Sequence, residues 1–170
     1  MARHASRARR HVRLFRLRFR SLDKLSWIAD DLFRNDRSRD SMLTGGCYCR
    51  AIRYEIHSTP FGTTLCHCAT CRKVSAAPAV AWFSVSKDGL RWIQGTPKTF
   101  ESSPGVLRAF CGQCGTPLAY ANAESPDVVD VSTCSLDEPG EVPPATHTWI
   151  KYRLTWDRTA DGLPEYAEAG

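Results

Sequence analysis

Apolar and polar residues alternate in short runs over most of the chain, and no long stretch keeps a helical period. Ile52, Tyr54 and Ile56 alternate with Arg53 and Glu55, the two-residue period of a half-buried strand. Further strands are predicted at Ala79–Val85, Leu90–Ile93, Val106–Phe110, Pro117–Ala121 and Val128–Val131, each bounded by Gly, Pro, Ser or Asp. A short helix or turn is expected after Cys71, and Asp161-Gly162-Leu163-Pro164 reads as a loop. The prediction is a mainly β domain with few short helices.

The pattern starts abruptly at Met42-Leu43-Thr44-Gly45-Gly46-Cys47. Residues 1–41 contain no Gly or Pro and no sustained apolar period, and their first 22 residues carry no acid. Charge divides at the same place: 12 Lys/Arg against 5 Asp/Glu in residues 1–41, and 11 against 13 in residues 42–170. Two regions are therefore expected, a basic disordered extension over 1–41 and one globular domain over 42–170. The extension reads as the product of an early start codon, ahead of a transit peptide or a nucleic-acid or membrane-surface arm. Nucleic acid enters only through that arm. Val12, Leu14, Phe15, Leu17 and Phe19 are interrupted by Arg13, Arg16, Arg18 and Arg20, short of the roughly 20 apolar residues of a membrane helix. A soluble protein of a reducing compartment, the cytoplasm, is expected, with no membrane partner.

Eight cysteines change the picture. Disulfides need a secretory context, and the N-terminus has no signal peptide's apolar stretch. Seven of the eight fall in short paired spacings, the pattern of metal ligands. Cys47-x-Cys49 and Cys111-x-x-Cys114 together supply the four thiolates that close a tetrahedral structural zinc, with iron the chemical alternative. Gly112 and Gly115 permit the tight knuckle around the second pair. Cys66-His67-Cys68-Ala69-Thr70-Cys71 offers three thiolates, which leave a fourth position for water or a substrate thiol. His67, His147 or Cys134 is the alternative fourth ligand that would close this site too.

Leu43-Thr44-Gly45-Gly46-Cys47-Tyr48-Cys49-Arg50-Ala51-Ile52-Arg53-Tyr54 and Cys66-His67-Cys68-Ala69-Thr70-Cys71-Arg72-Lys73 resemble the glutathione-dependent formaldehyde-activating enzyme family, which includes centromere protein V relatives. The likeness continues through Phe110-Cys111-Gly112-Gln113-Cys114-Gly115-Thr116-Pro117-Leu118, Ser135-Leu136-Asp137-Glu138-Pro139, His147 and Asp161-Gly162-Leu163-Pro164. It spans about Met42 to Tyr166. The resemblance implies a small zinc-stapled fold of two or three antiparallel sheets, a β-tent similar to a Rab-exchange-factor-like scaffold. It implies two Zn2+ per chain: a structural one on Cys47, Cys49, Cys111 and Cys114, and a catalytic one on Cys66, Cys68 and Cys71.

The implied activity is that of a carbon–sulfur lyase that joins glutathione to formaldehyde as S-hydroxymethylglutathione, a step in formaldehyde detoxification. A noncatalytic zinc-stapled binding module of the same fold is the alternative. Three thiolates on Zn2+ carry a formal charge of −1, and Arg72 and Lys73 are candidates to offset it or to grip the carboxylates of glutathione. His67 is expected to be structural or exposed, and His147 to approach the open site. Trp82, Phe83, Trp92, Trp149 and Trp156 are expected mostly in the core, and Cys134 as a buried, unligated thiol.

Overall fold

A computed structural model describes residues 42–169; the proposed basic extension over 1–41 lies outside the described residues. Ten strands form two sheets. They are β1 (Leu43–Gly46), β2 (Arg53–Ile56), β3 (Phe61–Cys66), β4 (Val80–Ser86), β5 (Leu90–Gln94), β6 (Lys98–Ser103), β7 (Val106–Phe110), β8 (Pro117–Asn122), β9 (Val128–Ser132) and β10 (Thr146–Thr148). The single α-helix among the described residues, α1, covers Ala69–Ser75 and so encloses Cys71. The small sheet has the order β1-β2-β5 and the large one β10-β3-β4-β9-β8-β7-β6.

Among the named strands all pairings are antiparallel except one. β10 lies parallel to β3, with Thr148 opposite Cys66. This departs from the purely antiparallel expectation: the chain returns from β9 through residues 133–145 and reaches the free edge of β3 in the same direction.

Alternation explains where the core sits. Phe83 and Val85 of β4 and Val129 and Val131 of β9 point to one face of the large sheet, where they meet Tyr54 and Ile56 of the small sheet. Tyr54 and Phe83 are fully buried, and Tyr54 meets Trp92 edge to face with ring centroids 5.7 Å apart. The opposite face carries a polar row. Ser84 pairs with Asp130, Asp130 with Tyr120, and Tyr120 with Arg108, so four adjacent strands present these side chains side by side. Above that row lies a cavity.

One expectation fails at Cys134, which is exposed. It sits at the centre of a single 3-10 turn, Thr133–Ser135, whose flanking residues point inward and leave the middle side chain outside.

Candidate metal and substrate site

Cys47 and Cys49 occupy the turn between β1 and β2. Cys111 and Cys114 occupy the turn between β7 and β8. The four sulfurs all lie within 4.8 Å of one another, Cys49 Sγ being 3.5 Å from Cys47 Sγ and 3.7 Å from Cys111 Sγ. Zinc–sulfur bonds of about 2.3 Å imply tetrahedral edges of roughly 3.8 Å, so the donor set fits such an ion. Backbone amides turn toward the sulfurs: Ile52 N donates to Cys47 Sγ at 3.2 Å, and Gln113 N to Cys111 Sγ at 3.4 Å. Cys114 Sγ lies 3.1 Å from the Thr116 hydroxyl, which with the Thr116 amide holds the thiol down at about 5. Gly115, at φ 77°, closes the knuckle in a left-handed conformation that favours glycine.

The second cluster joins the end of β3 to α1. Cys66 is the last residue of β3, Cys68 is the N-cap of α1, and Cys71 lies in its first turn. Cys68 Sγ accepts the Cys71 amide at 3.2 Å, which fixes the loop and aims all three sulfurs at one point. They too lie within 4.8 Å of one another. The neighbouring Cys66 and Cys71 thiols hold Cys68 down at about 2, with help from the Cys71 and Thr70 amides. Cys66 is pushed up by Cys68, by Cys71 and by burial. Three sulfurs crowded around one point and sharing protons unequally suit a divalent cation that would replace those protons.

Among the described residues no fourth ligand joins this trio. His67 is fully buried, and its Nε2 lies 2.9 Å from His147 Nδ1. His147 Nε2 in turn meets Asp161 at 3.0 Å, and His67 Nδ1 lies 3.3 Å from Asp157. Each histidine is thus engaged away from the sulfurs, so the expected approach of His147 to the open site runs through His67. Burial pushes His67 down, with Arg153 and His147 adding to it and Asp157 opposing them.

All three cysteines line a cavity of ≈ 1100 Å3 on the polar face of the large sheet, together with Trp82, Arg108 and Tyr120. Trp82 and Trp149 pack against the cysteine trio while Phe83 and Trp92 belong to the core on the other face, and Trp156 is 67% exposed. Tyr166 and Ala169, far along the C-terminal segment, complete the wall. That segment is held along β10: His147 N donates to Pro164 O at 2.7 Å and Tyr166 N to His147 O at 2.8 Å.

The cation beside the trio is neither Arg72 nor Lys73. Arg72 Nε donates to the His67 carbonyl at 3.2 Å, and Lys73 is exposed. Instead Arg108, only 6% exposed, places Nη2 3.7 Å from Cys71 Sγ. Its Nε donates to Ser102 Oγ at 3.0 Å, and its guanidinium carbon lies 5.0 Å from the Tyr120 ring centroid. A signal for it exists in the sequence: Arg108 interrupts the otherwise apolar strand Val-Leu-Arg-Ala-Phe.

Two sheets bridged by a four-thiolate cluster, with a three-thiolate cluster opening on a cavity, define a β protein with two cysteine clusters that could each hold a metal ion. The model of the glutathione-dependent formaldehyde-activating enzyme family matches residues 42–152, and the chain belongs to that family. An uncharacterized lyase of Schizosaccharomyces pombe is 33% identical over 84 residues, which cover 48% of this chain and 61% of the relative. The match thus spans about three-fifths of that relative's length. A crystal structure of a Rhodobacter sphaeroides protein is similar at a TM-score of 0.48 and 16% identity, over 72% of this chain and 98% of its own. No helix among the described residues is long and apolar enough to cross a membrane.

Proposed function

We propose that this protein is a zinc-dependent carbon–sulfur lyase-type enzyme that activates a thiol, glutathione, for adduct formation with formaldehyde or a related aldehyde. The observation that carries this is the convergence of Cys66, Cys68 and Cys71 on the wall of a ≈ 1100 Å3 cavity without a fourth protein ligand among the described residues. Zinc held there supplies a lowered thiol pKa, so that a substrate thiol is present as thiolate at neutral pH.

The chain's own groups do the rest. The Cys68 cap and the His67–His147 pair fix the ligand loop, and Trp82, Tyr120 and Trp149 give the cavity apolar walls. Arg108 offsets the negative charge that three thiolates leave on the site. The cavity gives room for a peptide-sized thiol, and bringing thiol and aldehyde together in it contributes proximity. Cys47, Cys49, Cys111 and Cys114 are assigned a second, structural zinc that ties the small sheet to the turn after β7.

Magnetisation-exchange NMR of glutathione with labelled formaldehyde tests the reading, run with and without the zinc-loaded protein. Acceleration that vanishes in Cys68→Ala, while fold and one zinc persist, is the expected result. Unchanged exchange with both zincs bound would discard glutathione–formaldehyde chemistry and leave a noncatalytic zinc-stapled module.

A further inference from the structure

We propose that Arg108 is a catalytic residue of this site, the group that receives the negative oxygen formed when a thiolate adds to an aldehyde. The inference rests on the thiol-activating reading above and goes beyond charge compensation. Addition forms a carbon–sulfur bond with the thiolate's electron pair, and the carbonyl π pair moves onto oxygen. The alkoxide then takes a proton from solvent, which balances the proton the thiol gave up to solvent earlier.

The new oxyanion sits on the carbon bonded to sulfur, on the order of 3 Å from that sulfur. A thiol that completes the cysteine trio therefore carries its oxyanion into the immediate surroundings of Cys71. Arg108 already reaches that place, with Nη2 3.7 Å from Cys71 Sγ.

Its other contacts show a group aimed rather than spent. Nε is held by Ser102 and the guanidinium plane by Tyr120, so the fork is fixed from two sides. Among the described residues it forms no ion pair with a carboxylate, and Nη1 makes no hydrogen bond. The nearby acid of the polar row, Asp130, feels the Arg108 charge but takes its hydrogen bond from Ser84, so a buried guanidinium with no carboxylate at ion-pair distance among the described residues, lining the cavity that holds the trio, is a preorganised donor for an incoming anion. Arginine also stays protonated at any working pH and can serve a sulfur and an oxygen at once through separate N–H groups.

The test reads binding rather than turnover. The full chain is loaded with cobalt(II), whose thiolate charge-transfer band reports an arriving thiol, and is titrated with mercaptoacetate and 2-mercaptoethanol. These two thiols are of similar size; the first carries an oxyanion close to sulfur and the second a neutral hydroxyl. Wild-type protein is expected to prefer mercaptoacetate by about tenfold or more, the worth of a charged hydrogen bond. Arg108→Ala is expected to weaken both thiols, because the cation beside Cys71 is gone, but to weaken mercaptoacetate more and so abolish the preference, and guanidinium chloride to restore it.

Equal binding of both thiols by wild type overturns the inference but leaves the thiol-binding reading standing. A preference that survives Arg108→Ala overturns it equally. If neither thiol gives the band, the proposed function falls and the inference with it. Should Arg108→Ala fail to take up cobalt, the neutral, similarly sized Arg108→Gln decides. Loss of preference with 2-mercaptoethanol binding still measurable supports the proposal, and full preference overturns it.

Discussion

His67 Nε2 and His147 Nδ1 lie 2.9 Å apart between two fully buried rings that stack with centroids 5.1 Å apart. His67 sits between the ligands Cys66 and Cys68, whereas His147 is on β10 and is gripped from outside by Asp161 and Pro164. The pair therefore couples the ligand loop to the C-terminal segment. His147→Ala leaves a buried imidazole without its partner, a cost of about 1–3 kcal/mol, equivalent to a fall of roughly 4–12 °C in melting temperature. The loop loses its brace, so metal affinity at the three-cysteine site is expected to fall by about tenfold or more. Calorimetry and a competitive chelator titration check both, and unchanged zinc affinity would show that the loop holds itself.

The two cysteine clusters should respond differently to ligand loss. Cys47 and Cys49 belong to the turn after β1, and Cys111 and Cys114 to the turn after β7, so their metal crosses between sheets. Cys66, Cys68 and Cys71 lie within six residues of chain and tie nothing distant together. Cys111→Ala is expected to lower the melting temperature by ten degrees or more, on the order of 3 kcal/mol and upward for a lost structural zinc. Cys68→Ala is expected to melt within a few degrees of wild type with one zinc retained. Native mass spectrometry paired with melting curves separates the outcomes.

The strands legible in the sequence are those whose apolar residues alternate or run together. Val106–Phe110 emerges with its bounds unchanged, β5, β8 and β9 each run one residue beyond expectation, and β4 is shifted by one residue at both ends. β6 is not legible because Lys-Thr-Phe-Glu-Ser-Ser has one apolar side chain and lies on an exposed edge, where no core face imposes alternation. β3 opens with Phe61-Gly62-Thr63-Thr64, and β10 has three residues, too few for any period. Local spacing also reveals which cysteines cluster, because the chain itself brings them close. Arg108 is 37 residues from Cys71 and meets it only through the order β9-β8-β7, which no local pattern encodes. The Ser135-Leu136-Asp137 segment has a structural part: Ser135 Oγ lies 2.7 Å from the Tyr54 hydroxyl, and Asp137 binds Arg53 and Thr44.

Gly45 shows how tightly that segment closes. A Cβ there would lie 2.3 Å from the Tyr54 hydroxyl oxygen, 2.4 Å from its Cζ and 2.6 Å from the Ser135 carbonyl. Gly45→Ala must push the tyrosine ring out of the core or part β1 from the Ser135 turn, an overpacking cost of about 1–3 kcal/mol or more. Tyr54→Phe removes only the hydroxyl's hydrogen bond, about 1 kcal/mol. Adding it to Gly45→Ala is expected to recover little, because the ring carbon itself is in the way. Denaturant melts of the two single variants and the double variant measure this; full recovery would place the clash at the hydroxyl alone.

Asp137 supplies a pH dependence with a definite sign. Arg53 Nη1 and Nη2 donate to its two oxygens at 2.8 and 2.5 Å, and Thr44 Oγ1 donates at 2.5 Å, holding the carboxyl down at about 2 from an ordinary 3.8. The folded-state value lies below the unfolded one, so the carboxylate's contribution is present above pH 3.8 and is lost as the pH falls through 2. The Asp137 side chain is 43% exposed, and solvent screening limits the bidentate pair to about 1 kcal/mol. Asp137→Asn should therefore melt a few degrees below wild type at pH 7, with the gap closing as pH falls from 3.8 toward 2. Acid release of metal from the thiolates is common to both proteins and cancels in the difference. A gap that stays constant across the same range would mean that Asp137 acts through its hydrogen-bonding shape and not its charge.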